Sequence, residues 1–233
     1  MRACLYGVPG VRPGTYPVKD SRLDAVHKLV EADKKVYARV ELVPEEELDA
    51  AAAILCAPDR RPDLLLRDME LAETRLARSP GPSEKAALEE ALAALESERS
   101  LREALTPESL QPLLSYPFVS LKPILSVNGD PEAFDRAVLE AFRLSGHICF
   151  LTVGGRENRA WPIREGITAR EAAGTIHTDI AKGFIRAEVI AFEDLVTCGG
   201  EKEAKRAGKL RLETRDYLVR DFDVLHFRFN RTR

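Results

Sequence analysis

Residues 62–105 constrain the fold most, because their apolar residues recur at helical spacing and not at strand spacing. In PDLLLRDMELAETRLARS, Leu65, Met69, Ala72 and Leu76 fall along one helix face. The turn SPGPS interrupts the pattern, and EKAALEEALAALESERSLREAL resumes it with Leu88, Ala91, Leu92, Leu95, Leu101 and Leu105. Two amphipathic helices across a Pro/Gly turn predict an antiparallel hairpin. The Ala/Glu/Leu/Arg composition predicts a projecting arm with a narrow seam, serving either as a partner-docking element or as plain structure.

The flanking segments read differently. RACLYGV (2–8) is a short apolar run ending at glycine and suits a buried strand. SRLDAVHKLV places Leu23, Val26, Leu29 and Val30 at helical spacing, with Ser21 as N-cap. VYARVELV alternates Val36, Ala38, Val40 and Leu42 and predicts one strand, and AAAILCAP, bounded by Pro58, predicts another. After the hairpin, LKPILSVNGD predicts a strand ending in a turn, and PEAFDRAVLEAFRLSG a helix between Pro131 and Gly146. From His147 the strand candidates HICFLTVGG, NRAWPI, GFIRAEVI, KLRLE and RDYLVRDFDVLHFRFN are separated by ITAREAAGTIH and FEDLVTCGGEKEAKRAG, which read as helix or loop. The fold class implied is an α/β layer carrying a helical hairpin, followed by a compact α+β domain.

Composition supports a folded chain, with 45% hydrophobic and 31% charged residues among 233. The net charge of −3 argues against a protein that coats nucleic acid generally, and no DNA partner is expected. From residue 151 onward 16 Lys/Arg stand against 13 Asp/Glu, leaving −6 for the first 150 residues and a mildly basic C-terminal part. Cys4, Cys56, Cys149 and Cys198 are far apart with no C-x-x-C pair, so buried free thiols are expected and no zinc site. No signal-peptide pattern or membrane-length apolar run is present, and the expected location is the cytoplasm.

The stretch Gly7 to Thr15, GVPGVRPGT, begins as a phosphate-binding loop does, with a strand running into glycines. The P-loop pattern GxxxxGK followed by Ser or Thr is not met: from Gly7, the second glycine falls on Arg12, the lysine on Pro13 and the hydroxyl on Gly14. His27, His147, His177 and His226 have no paired ligand spacing, and His177 beside Asp179 reads as structure or surface. Glu45–Glu47 with Asp49 read as a solvated helix start. No catalytic or metal-binding residue is therefore assigned.

Residues 160–195, AWPIREGITAREAAGTIHTDIAKGFIRAEVIAFEDL, resemble the TGS domain of the YchF-type ATPases, a branch of the Obg-related P-loop proteins. HTDIAKGFIRAEV (177–189) and AGKLRLETRDYLVRDFDVLHFRFN (207–230) are similar to that family's C-terminus nearly residue for residue. The resemblance implies a β-grasp TGS domain over 147–233. It extends more weakly to YPVKDSRLDAVHKLVEADKKVYARVELV, to DLLLRDMELAETRL as the first helix of the family's coiled-coil arm, and to LKPILSVNGDPE as its base-recognition strand. It implies a degenerate P-loop domain over 1–61 and 106–146, interrupted by the arm at 62–105.

Set against the family string GLPNVGKST, Pro13 takes the lysine position and supplies neither ammonium nor N–H. Arg12 replaces a glycine, and Thr15 keeps a hydroxyl for magnesium. The family's helix and first switch after the loop are missing, its DxxG turn becomes Pro44-Glu45-Glu46-Glu47, and the region with its catalytic histidine is absent. Glu132 matches the base-recognition Glu, whereas Asn128 lies one position early. Vestigial nucleotide contacts would thus be Gly7, Arg12, Thr15, Asn128 and Glu132. The resemblance implies a ribosome or RNA partner, for which Arg159, Arg164, His177, Lys182, Arg186, Lys205, Arg206 and Lys209 are the candidate contacts. Trp161 and Phe184 offer stacking surfaces or are core.

The leading expectation is a non-catalytic YchF-like binding or regulatory module with no cofactor and no membrane association, with a protein partner on the helical arm as a further expectation. The alternatives are a weak nucleotide-hydrolysing protein holding Mg-ATP or Mg-GTP, and a structural, oligomeric protein.

Overall fold

A computed structural model describes residues 1–230, so the last three residues of the expected C-terminal domain lie outside the described residues. Contacts divide the chain into two units: residues 1–16 with 40–145, and residues 17–39 with 146–233.

The first part of the chain forms β1 (Arg2–Tyr6), β2 (Gly14–Pro17), α1 (Ser21–Leu29), β3 (Lys34–Val36), β4 (Arg39–Val43) and β5 (Ala53–Cys56). The hairpin helices are α2 (Arg61–Leu76) and α3 (Pro82–Glu96), followed by the single turns α4 (Leu101–Ala104) and α5 (Pro107–Leu110). Then come β6 (Ile124–Ser126), α6 (Pro131–Leu144), β7 (His147–Thr152), β8 (Glu157–Arg164), α7 (Ala169–Ile176), α8 (Thr178–Lys182) and β9 (Phe184–Ile190). The chain closes with α9 (Phe192–Cys198), α10 (Glu201–Arg206), β10 (Arg211–Glu213) and β11 (Val224–Phe229).

In the first unit the strands lie in the order β2-β4-β1-β5-β6, and β1 runs parallel to β4 and β5, as β5 does to β6. Parallel strands are covered on both faces, which is why β5 is apolar throughout and all four of its residues are buried. The helix α6 starts where Asp130 accepts the N–H of Ala133 at 2.8 Å and Pro131 supplies a preset φ. Because the strands run parallel, the segments after β1, β4, β5 and β6 all emerge on one edge.

Helices α2 and α3 do not form a narrow two-helix seam. Their apolar faces, with Leu65, Ala72, Leu88, Ala91 and Leu95, share one core with Leu101, Leu113 and Phe118 downstream. The reason lies in Asp68, fully buried, whose carboxylate accepts the N–H groups of Val119 and Ser120 at 2.9 and 2.8 Å and so fixes α2 to that later segment.

The second unit holds a six-stranded mixed sheet, β10-β9-β11-β7-β8-β3. Its pairings are antiparallel for β7/β8, β9/β10 and β9/β11, and parallel for β3/β8. A capping box, Thr168 with Glu171, starts α7, whose buried Ala169, Ala172 and Ala173 pack on Phe150, Val189 and Phe227. The expected single strand over 36–43 is two strands. β3 is an edge of the second sheet and β4 belongs to the first, with Tyr37 and Ala38 between them.

The span 17–39, expected to lie within residues 1–61 of the first domain, thus packs with the C-terminal unit instead. Asn158 is the physical reason: completely buried, it donates to the Val30 carbonyl at 2.7 Å, lies 3.1 Å from His27 Nδ1, and accepts the Gly154 N–H at 2.9 Å. Arg22 adds a second tie, bonding Asp20 and Asp221 at 2.8 and 2.7 Å with its guanidinium 3.7 Å over the Phe222 ring.

Candidate functional site

The turn after β1 is the candidate site of the first unit. Gly7 leaves the strand at φ +67°, a left-handed value that glycine adopts without a Cβ penalty. A Cβ there would meet Arg60 Cγ at 2.6 Å, because the arginine stem lies over the glycine. From Gly7 the chain passes Val8, Val11 and Pro13 and enters β2 at Gly14. A P-loop owes its phosphate affinity partly to the helix N-terminus it opens, and here a strand stands in that place.

The turn's first amide is already engaged. Gly7 N–H donates to Glu45 Oε1 at 2.7 Å, and Arg60 Nη2 lies 3.8 Å from the other oxygen of that carboxylate. Arg60 is oriented in turn by Asp63, 2.6 Å from its Nε, and by the Tyr6 ring, 4.9 Å below the guanidinium. Gly7, Val8, Val11, Pro13, Pro44 and Glu45 line an open depression of about 280 Å³. Two thiols stand nearby, Cys4 on β1 itself and Cys56 on the adjacent β5. Burial pushes Cys4 up to about 11 and Cys56 up to about 12, so both stay protonated and are poor nucleophiles at neutral pH.

Of the residues expected to touch a nucleotide, only Gly7 has its polar group turned into this arrangement. Arg12 and Thr15 are exposed, and the Arg12 carbonyl accepts from Tyr16 Oη at 3.0 Å. Asn128 and Glu132 follow β6 on the same sheet edge, both exposed, with Glu132 3.8 Å from Arg136. They stand two strands from β1, roughly 10 Å away at ordinary strand spacing. Arg60, which completes the arrangement with Glu45, does not stand out in the sequence. The acidic run begins a largely exposed 3-10 helix, Glu45–Ala50, as the solvated helix start expected of it, and from there it also sends Glu45 to the turn and Glu47 to Arg2. Three carboxylates directly after a parallel strand were the available signal. Among the described residues no group of three or more His, Cys, Asp or Glu is placed to hold a metal ion, and no helix is long and apolar enough to cross a membrane.

In the second unit the candidate RNA contacts do not form one patch. Arg186 on β9 lies opposite Arg228 on β11, and Arg228 Nε bonds Glu188 at 2.8 Å. Lys205 of α10 feels both Glu188 and Arg228 and pairs with Glu201 at 2.9 Å. Arg228 belongs to this cluster, although only the strand register reveals it. Lys209 pairs with Asp194 at 3.0 Å, and Lys182 and Arg206 end α8 and α10, both exposed. Arg159 sits on β8, three strands from β9, 3.2 Å from Glu157 and 4.1 Å over the Trp161 ring. Arg164 ends the same strand, exposed. The imidazole of His177 caps α8 by accepting the Asp179 N–H at 3.1 Å, a local structural task. Trp161 stacks on Phe150 and donates to Thr152 Oγ1 at 2.9 Å, and Phe184 packs on Phe227; both are parts of the core.

Residues 147–230 match the family model YchF-GTPase_C, described as a protein of unknown function (DUF933). Over this segment the chain is similar to the YchF-type, Obg-related P-loop proteins. It is 52% identical over 96 residues to the ribosome-binding ATPase YchF of Haemophilus ducreyi and 49% identical over 96 residues to that of Bacillus subtilis. Over 106 residues it is 43% identical to the Obg-like ATPase 1 of Pongo abelii. These matches cover 41%, 41% and 46% of this chain, and it spans about a quarter of each relative, 26%, 26% and 27%. The structure of the Schizosaccharomyces pombe YchF GTPase superposes on 98% of this chain and 97% of its own, with a TM-score of 0.72 and 17% sequence identity. That likeness extends the YchF fold over both units.

Proposed function

We propose that this chain is a non-catalytic YchF-like binding module, joining a degenerate P-loop layer to a β-grasp TGS domain that meets the ribosome or RNA. The observation that carries the first half is the Glu45 carboxylate on the Gly7 amide. A nucleotide phosphate needs that amide, a lysine ammonium and the field of a following helix. The amide is taken, Pro13 holds the lysine position, and β2 replaces the helix. These residues do not fit a bound Mg-nucleotide, and no hydrolytic step is derived through one. The partner half rests on the relatives of the matched segment being named ribosome-binding, and on the cations around Arg186, Lys205 and Arg228.

A second reading, weak Mg-ATP or Mg-GTP binding, draws on the same relatives being named ATPases and on Gly7, Asn128 and Glu132 sharing one sheet edge. Calorimetric titration with each nucleotide and magnesium separates the two. No saturable binding below the millimolar range is expected, and a micromolar constant overturns the first reading. Co-sedimentation with ribosomes at graded salt tests the partner. Pelleting that weakens as salt rises is expected, and its absence even at low salt removes that assignment.

A further inference from the structure

The turn after β1 holds an anion supplied by the chain itself. Glu45 sits two residues beyond β4, and β4 is the parallel neighbour of β1, so the sheet delivers its carboxylate beside Gly7. One oxygen accepts the Gly7 N–H, and the other faces the Arg60 guanidinium at 3.8 Å. An N–H and a guanidinium converging on two oxygens of one anion would serve a phosphate equally well. Asp63 and Tyr6 hold Arg60 in position, and its stem covers a glycine that has no room for a Cβ. The wall beside it is the open depression of about 280 Å³, roomy beside a single tetrahedral oxyanion.

We infer that Glu45 is an intramolecular anion that closes this turn, and that the turn takes a tetrahedral oxyanion of the phosphate class when that carboxylate is withdrawn. Occupied by its own side chain, the turn repels external phosphate by charge and denies it the amide. With the carboxylate gone, Gly7 N–H and Arg60 become a two-point oxyanion site. The inference rests on the reading that the unmodified chain holds no nucleotide at this turn.

The probe is inorganic phosphate, followed by calorimetry and by the Gly7 amide resonance in 15N-labelled full-length chain. Glu45→Ala is expected to bind phosphate at least about tenfold more tightly than the unmodified chain, the equivalent of one charge-assisted hydrogen bond. Phosphate should then shift the Gly7 amide. Glu45→Gln, which keeps shape and an acceptor but loses the charge, should fall between the two and serves if the alanine variant fails to fold. Adding Arg60→Met to either variant should abolish the gain. The inference is overturned if folded Glu45→Ala or Glu45→Gln binds phosphate no better than the unmodified chain, or if the gain survives Arg60→Met. Either result leaves the non-nucleotide reading standing, whereas micromolar Mg-nucleotide binding by the unmodified chain defeats that reading directly.

Discussion

In the first unit a parallel strand order surrounds a turn whose leading amide is held by Glu45, whereas in the second the family's sequence itself runs on over residues 147–230. The chain as a whole superposes on the Schizosaccharomyces pombe YchF GTPase with a TM-score of 0.72 at only 17% identity, and the family model covers none of the first unit. The difference shows two kinds of constraint. A buried parallel sheet asks of each strand only apolar residues of suitable volume, so β1 and β5 can change letters freely. A ligand-facing turn asks for particular groups at particular atoms, and on the proposed reading one proline at position 13 removes two of them. Architecture is therefore a poor witness to the chemistry of the first unit.

The comparison can be broken most forcefully at Asn158. Asn158→Leu leaves the Gly154 N–H and the Val30 carbonyl without their partner inside the protein. The expected loss is about 4 kcal/mol, with hydrogen-exchange protection failing first over 17–39 and sparing the first sheet. Equal loss of protection in both units would show that the span 17–39 is not an integral part of the second.

The first unit has its own buried polar anchor, Asp68. Asp68→Ala should cost about 3 kcal/mol, read by denaturant unfolding, and should loosen α2 and the 119–121 segment while the second sheet stays protected. Burial raises the Asp68 carboxyl above its ordinary 3.8 despite the two N–H donors. A raised folded value means that the native state holds the proton longer than the unfolded chain does. Its contribution is thus complete below pH 3.8 and is lost as pH rises through the folded value. Relative to Asp68→Asn, which does not titrate, the unmodified chain should become less stable across that window. A constant difference from acid to neutral pH would contradict this.

Arg22 gives the smallest effect. Arg22→Ala removes the bonds to Asp20 and Asp221 and the stacking on Phe222, for about 1.5 kcal/mol of thermal stability. Arg22→Lys should recover only part, because an ammonium cannot bridge two carboxylates and lie flat on a ring together. Full recovery would reduce the contact to simple charge pairing.

Much of the secondary structure was legible. The hairpin helices, β1, β5, α6 and the short strands after His147 follow from period and punctuation. What period does not encode is which sheet a strand joins. Val36 to Leu42 alternate evenly, yet the chain passes from one sheet to the other across Tyr37 and Ala38. The information sits in Asn158 and Arg22, whose partners are distant in sequence. The hairpin's extra core was hidden for a similar reason, since Asp68 reads as one more surface acid until its backbone partners are known. On the proposed reading, the sequence marks the site by what Pro13 removes and not by what Glu45 adds. No pattern along the chain brings Glu45 to Gly7; only the parallel pairing of β1 with β4 does.

The docking of residues 17–39 into the second unit also bears on how the chain is made. Val30 meets Asn158 across 128 positions of sequence. On a ribosome that emits the N-terminus first, α1 and β3 emerge long before the sheet that completes them. Strands β2 and β4 flank that waiting segment, so the first sheet must form around a loop whose final partner is still unmade. The later arrival of residues 146–230 then sets the moment at which residues 17–39 cease to be exposed.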